Sequence, residues 1–419
     1  MTTAPAFDPW QSSFIADPYP AYAGLRAQGP VTYFEPTGQW LVPHYDDVRA
    51  LLRDRRLGRT YLHRFTHEEF GRTAPPAAHE PFHTLNGNGL LDLEAPDHTR
   101  IRRLISLAFT PRTVDRLAPT VARLAEDLVA RFVADGGGDL VAAVAEPLPV
   151  AVIAEMLGIP EADRPLLRPW SSAICGMFEL NPTEETARRA VEASVEFSTY
   201  LRGLIARRRG DLGDDLISAL IAAHDAEDRL TEQEMVSTCV LLLNAGHEAT
   251  VNTTANGWLT LFRHPAELAR LRADMAAATA FAAGESLPSA ADPLAPAVEE
   301  LLRFDTPLQM FERWVLDDIE VGGTVIPRGS EVALLFGSAH RDPARFDRPD
   351  VLDLGRTDNP HLAFGAGIHY CLGAPLARLE LAASFGALLR RAPGLRLVAE
   401  PEWRPGYVIR GLRELLVEV

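Results

Sequence analysis

The chain has 419 residues, 47% of them hydrophobic, with 41 Lys and Arg against 57 Asp and Glu and a formal net charge of −16. That acidity argues against a nucleic-acid binder, which carries a basic surplus, while the length leaves room for a large core. Three widely separated cysteines, Cys175, Cys239 and Cys371, form no CxxC pair and exclude a disulfide framework.

The opening "MTTAPAFDPWQSSF" lacks the basic and apolar regions of a signal peptide, and no apolar run approaches the ~18 residues that span a bilayer. A reduced, soluble, cytoplasmic protein is expected. In chain order, the pattern predicts a helix over Pro18 to Gln28 and short strands at "VTYF" and "WLVP". Helices follow at "DHTRIRRLISLAF", Val114 to Ala134 and Thr186 to Arg209. The Ala-rich piece 276–296 reads as a helix end and surface loop, and "IEVGGTVIP", "EVALLF" and "LRELLVEV" as the remaining strands. No repeat or long linker divides the chain, so one mainly α domain over 1–419 with small β-sheets is expected.

The longest element begins at Thr231, with Glu234 three residues on as in a capping box, and meets no proline until Pro265. Its ~33 residues, about 231–263, make a rod about 50 Å long. Its middle breaks the apolar pattern with Gly246, His247, Glu248 and Thr250. An interior glycine costs about 1 kcal/mol relative to Ala, and a carboxylate near a core costs more unless paired. Either a polar face turns to solvent there, or the helix widens around a ligand and carries a proton.

"HLAFGAGIHYCLGAPLARLE" (361–380) then places Cys371 among glycines at the mouth of a helix. The N–H groups and dipole of that helix favour a thiolate. Gly365, Gly367 and Gly373 permit the close approach of a large planar ligand, Phe364 would shield the sulfur, and His369 supplies a ring donor. A buried free cysteine is the plainer alternative, and zinc has no second ligand at suitable spacing. The full pattern F-G-x-G-x-H-x-C-x-G would arise by chance on the order of once in a million such chains.

With that pattern complete, the loop 361–373 resembles the haem-binding loop of the cytochrome P-450 superfamily, in its soluble bacterial, actinobacterial biosynthetic branch. The resemblance covers nearly the whole chain. It implies the P-450 fold, a long central helix over haem b (iron protoporphyrin IX), and Cys371 as the proximal thiolate ligand of the iron, favouring O–O cleavage. "VEELLRF" matches the family's Glu-x-x-Arg pair at Glu300 and Arg303, whose usual third, basic partner falls here on Val351. Arg345, Arg348 or Arg356 are left to replace it. His98 and Arg102 in "DHTRIRRL", with Arg313 and His369, match the donors that hold the haem propionates, where Arg offers a forked geometry.

"AGHEAT" matches the oxygen-activation segment. Ala245 and Gly246 would open a groove over the iron, and Glu248 would be the acid of the proton relay. Ala249 stands where the family places threonine, and Thr250, one residue later, is rotated by ~100°. The missing hydroxyl must come from substrate, water or a rearranged Thr250, or the reaction is less demanding. By family position the substrate pocket would include Leu90, Met177, Phe178, Leu242, Ala245, Ala249, Gln309, Met310, Phe311 and Val408, which suits a mid-sized, mostly apolar natural product such as a macrolide or polyketide. The resemblance implies a monomeric monooxygenase that inserts one oxygen atom from O₂ into a C–H bond. Electrons would come from a ferredoxin and ferredoxin reductase, docked by Arg102, Arg103, Arg112 and Arg378, with no nucleic-acid or membrane partner. The alternatives are oxidative C–C or C–N coupling and a haem sensor without turnover.

Overall fold

The Thr231 hydroxyl accepts the Glu234 N–H at 3.1 Å while the Glu234 carboxylate accepts the Thr231 N–H at 2.7 Å. This reciprocal cap starts the helix Glu232–Arg263. In the computed structural model, which describes residues 6–106, 111–224, 230–282 and 293–419, that helix threads the largest core cluster. The helices Pro147–Leu157, Leu167–Cys175, Glu184–Arg209 and Ala374–Arg391 all pack on it. Trp258 stacks on Phe385 of the last of these, centroids 5.5 Å apart and planes at 17°. A Cβ on Gly257 would come within 2.8 Å of the Phe385 ring, so the glycine there permits the approach.

The small sheets lie at one side. The five-stranded sheet runs in the order Thr32–Phe34, Gln39–Val42, Glu331–Leu335, Met310–Val315, Leu57–Gly58. Gln39–Val42 and Glu331–Leu335 are parallel, and the other pairs are antiparallel. Ile319–Val321 and Thr324–Ile326 form the expected hairpin, with Gly322 and Gly323 both at positive φ in its turn. Of "LRELLVEV" only Leu416–Glu418 is strand, between Gly137–Asp139 and Arg396–Leu397. The strand Met310–Val315 escapes sequence reading because Glu312 and Arg313, two adjacent charges, interrupt any alternation.

The helix starting at Asp97 is described to Ser106, and the Ala-rich piece is helical over its described residues, to Ala282. No helix among the described residues is long and apolar enough to cross a membrane.

Candidate active site

Cys371 lies between a tight loop and the helix Ala374–Arg391. Its N–H donates to the Phe364 carbonyl at 2.9 Å, closing the loop on itself. Gly365 and Gly367 have φ of 68° and 74°, a region that costs a residue with a Cβ energy. At Gly367 a Cβ would also lie 2.5 Å from the Leu52 carbonyl, so this glycine serves loop packing as much as any ligand. Gly373 has an ordinary φ of −81°, and its missing Cβ leaves space 4.0 Å from the Cys371 sulfur. Burial pushes the Cys371 thiol upward. The N–H groups of Gly373 and Ala374 and the charges of Arg102 and Arg378 pull the other way. The helix start therefore favours the thiolate, as expected, but does not by itself overcome burial. Phe364 carries Arg378 on its ring face at 4.4 Å.

Beside the loop, four elements bring basic groups to one edge. His98 and His369 have ring centroids 4.5 Å apart. His98 Nε2 and Arg313 Nη2 are buried with no hydrogen-bond partner among the described residues. Burial pushes His98 down to about 4, with His369 and Arg102 adding to it. Arg313 is 3% exposed and pushed down to about 9, first by burial and then by Arg59. Arg59 and Arg313 both lie 4.5 Å from the Phe311 ring centroid. Arg102 donates to the Tyr370 carbonyl at 2.6 Å, joining its helix to the cysteine loop. Glu94 accepts from the Arg59 N–H at 2.7 Å and contacts His369 Nε2 at 3.2 Å. A buried guanidinium N–H and a buried imidazole nitrogen left unpaired are costly, so this edge suits an anionic acceptor in addition to Glu94.

On the central helix, Ala245 and Ala249 are exposed and Leu242 and Gly246 half-buried, although their neighbours are buried. The positions 242, 245 and 249 line one helix face, which is left uncovered at the two alanines. At Gly246 a Cβ would meet Ile153 at 2.9 Å, so the glycine also permits helix packing. Glu248, Asn252 and Asn256, at i, i+4 and i+8, face the C-terminal turn instead. Arg404 Nη2 lies 2.8 Å from Glu248 Oε1 and donates to Asn252 Oδ1 at 2.6 Å, and Asn256 Nδ2 donates to the Arg410 carbonyl at 3.2 Å. Thr250 is buried, away from that open face.

A family model described as cytochrome P450 matches residues 171–392. A cytochrome P450 monooxygenase named PikC, from Streptomyces venezuelae, is 41% identical over 412 residues, covering 96% of this chain and 91% of that protein. The chain belongs to the cytochrome P450 family. A further P450 relative, the polyketide biosynthesis protein PksS of Bacillus subtilis, is 35% identical and covers 99% of this chain and 98% of its own length. The solved structure of P450BioI in complex with a hexadec-9Z-enoic acid-ligated acyl carrier protein superposes with a TM-score of 0.88 at 34% identity, covering 98% of this chain and 100% of that one.

This P450 is thus a haem b monooxygenase, and its residues fit that group. A sulfur donor stands at one side, the Ala245–Ala249 stripe leaves a face open, and the unpartnered His98 and Arg313 donors suit two propionates. The Glu-x-x-Arg pair is fully buried, with Arg303 donating twice to Glu300 at 2.8 Å. Its third partner is Arg356, whose Nε contacts the two Glu300 oxygens at 3.3 and 3.1 Å. Val351 is 44% exposed, Arg345 pairs with Asp358, and Arg348 with Asp347.

The P450 pocket expected from sequence is only partly assembled. Met177, Phe178, Leu242 and Phe311 are half-buried, and Leu90 joins the main core. Met310 lies with Phe14, Tyr22 and Leu41 in a separate cluster, because neighbours on a strand point to opposite faces and Phe311 takes the other one. Val408 is buried in that same cluster. Gln309 is fully buried, accepting from the Tyr22 hydroxyl at 2.8 Å and donating to the Thr306 carbonyl at 2.6 Å. Its amide belongs to the fold. Sequence reasoning also missed Arg59, Glu94 and Arg404, which carry no motif and come from loops.

Proposed function

We propose that this P450 inserts one oxygen atom from O₂ into a C–H bond of a mid-sized, mostly apolar natural product, a macrolide or related polyketide. It acts as a cytoplasmic monomer, with electrons from a ferredoxin and its reductase. One observation carries the reading: the Cys371 sulfur stands at a helix start beside an edge of unpartnered buried donors, with an open alanine stripe on the central helix. Bound haem supplies oxygen activation, and its thiolate ligand donates the electron density that favours O–O cleavage.

The chain's own residues do the rest. His98, Arg102, Arg313 and His369 hold the propionates by charge-assisted hydrogen bonds. Ala245 and Ala249 leave room for substrate above the ring, and Leu242, Phe178 and Phe311 exclude water. Glu248, directly before Ala249 but on an adjoining helix face, is the acid of the proton relay, restrained by Arg404 and Asn252. With Ala249 beside the reacting atoms and Thr250 buried on another face, the hydroxyl comes from substrate or water. The names of PikC and PksS support a monooxygenase of polyketide chemistry.

The test is direct. The purified protein is reduced and exposed to carbon monoxide, and the Soret band must move to the long-wavelength position that thiolate ligation produces. A macrolide and polyketide panel is then screened for the spin-state change, and the product must gain one oxygen. Ala249 favours a second reading, oxidative C–C or C–N coupling, whose product instead loses two hydrogens.

For the ferredoxin, Arg378 is engaged by Glu299 at 2.6 and 2.8 Å and Arg102 by Tyr370, and Arg103 is exposed. The Arg112 side chain lies outside the described residues. Arg103→Glu with Arg112→Glu should weaken ferredoxin-driven turnover and its salt dependence. Unchanged values remove this docking surface.

A further inference from the structure

We infer that Glu179 is a positioning residue that latches one side of the proposed substrate site, fastening the segment that carries Met177 and Phe178 to the C-terminal turn around Tyr407–Ile409. The inference rests on the reading of the Ala245–Ala249 stripe as the substrate side of a P450.

The Glu179 carboxylate accepts three consecutive backbone N–H groups. Oε2 takes those of Tyr407 at 2.8 Å and Val408 at 3.0 Å, and Oε1 takes that of Ile409 at 2.9 Å. Gly406 makes this possible, since a Cβ there would already stand 3.1 Å from Oε1. Buried N–H groups need acceptors, and here one side chain, more than 200 residues away in sequence, satisfies three at once. Burial pushes the carboxyl upward, opposed by these three donors and by Arg404.

The far side of the turn is equally anchored. Arg404 meets Glu248 and Asn252 on the central helix, Asn256 meets the Arg410 carbonyl, and the Gln309 N–H donates to the Val408 carbonyl at 3.0 Å. The turn is therefore fixed to the helix that bears the alanine stripe. Glu179 adds the segment in which Phe178 packs on Phe82, centroids 6.1 Å apart. On that reading a ligand wide enough to touch Phe178 is held by the latched segment, whereas a small one is not.

The experiment uses holoenzyme of the wild type, Glu179→Ala and Glu179→Gln, the last retaining one acceptor oxygen should the alanine variant fail to fold. Two probes that bind haem iron, imidazole and the bulky clotrimazole, are displaced by carbon monoxide under reduction in a stopped-flow instrument. Clotrimazole dissociation should quicken about tenfold in Glu179→Ala and less in Glu179→Gln, with imidazole dissociation within about twofold of wild type. Hydrogen exchange at Tyr407–Ile409 should quicken at least about tenfold in the variants. That arm needs no haem, so it tests the latch even if the thiolate band is missing and the P450 reading fails. Unchanged exchange at those amides, unchanged clotrimazole dissociation, or an equal change for both azoles would overturn the latch.

Discussion

Replacing Arg356 with leucine tests how the buried Glu300 site is balanced. Glu300 and Arg303 have side chains 0% exposed, and Arg356 is 8% exposed. Glu300 also accepts the Asp353 N–H at 3.0 Å and Asn359 Nδ2 at 3.3 Å. The site holds one negative and two positive charges. Arg356→Leu leaves a neutral, still bidentate pair, and forfeits the contacts to Glu300 and one strong hydrogen bond to the Asp347 carbonyl at 2.8 Å. That should cost about 2 kcal/mol. Glu300→Gln instead strands two guanidinium groups in the core, the costlier kind of break at about 3–5 kcal/mol. For a chain of this length the melting point should fall by about 2 °C or less per kcal/mol. Thermal unfolding followed by circular dichroism, with Arg348→Leu as the exposed control, ranks the three. Arg356→Leu matching the control, or Glu300→Gln no worse than Arg356→Leu, would refute the charge accounting.

Arg313→Leu should act with opposite signs on apo and haem-loaded protein. The apo chain loses a buried, half-satisfied cation and gains urea resistance, while haem transfer to an apomyoglobin scavenger quickens about 10- to 100-fold through one lost charge-assisted hydrogen bond. Ala249→Thr should alter the share of consumed NADPH that appears in product; an unchanged share means the missing hydroxyl carries no weight. Glu380 is buried, with Oε1 unpartnered among the described residues, and burial raises it to about 8. Below about pH 4.5 folded and unfolded chains both carry that proton; above it only the folded chain keeps it, so stability falls until about pH 8 and then levels. Unfolding free energies from urea titrations at pH 5 and 8.5 should therefore differ less in Glu380→Gln than in the wild type, by on the order of 3 kcal/mol.

Sequence alone determined what is periodic or local. The capping box of Thr231 and Glu234, the Gly-rich loop holding Cys371 and the Gly-Gly hairpin at 322–323 each depend on residues a few positions apart, so their spacing is their structure. Tertiary structure decided everything that required a partner from elsewhere. Arg356 rather than Arg345 or Arg348 completes the Glu300 site because an irregular segment, without a period to read, brings it there. Met310 and Phe311 are adjacent in sequence yet serve different cores, because the sheet assigns their faces. Gly246 permits the approach of Ile153, Glu248 meets Arg404 and Glu179 meets the C-terminal turn through contacts made only once distant elements pack. Local geometry repeats along a chain, whereas the choice among equivalent basic, acidic or apolar partners is made by chain closure in three dimensions.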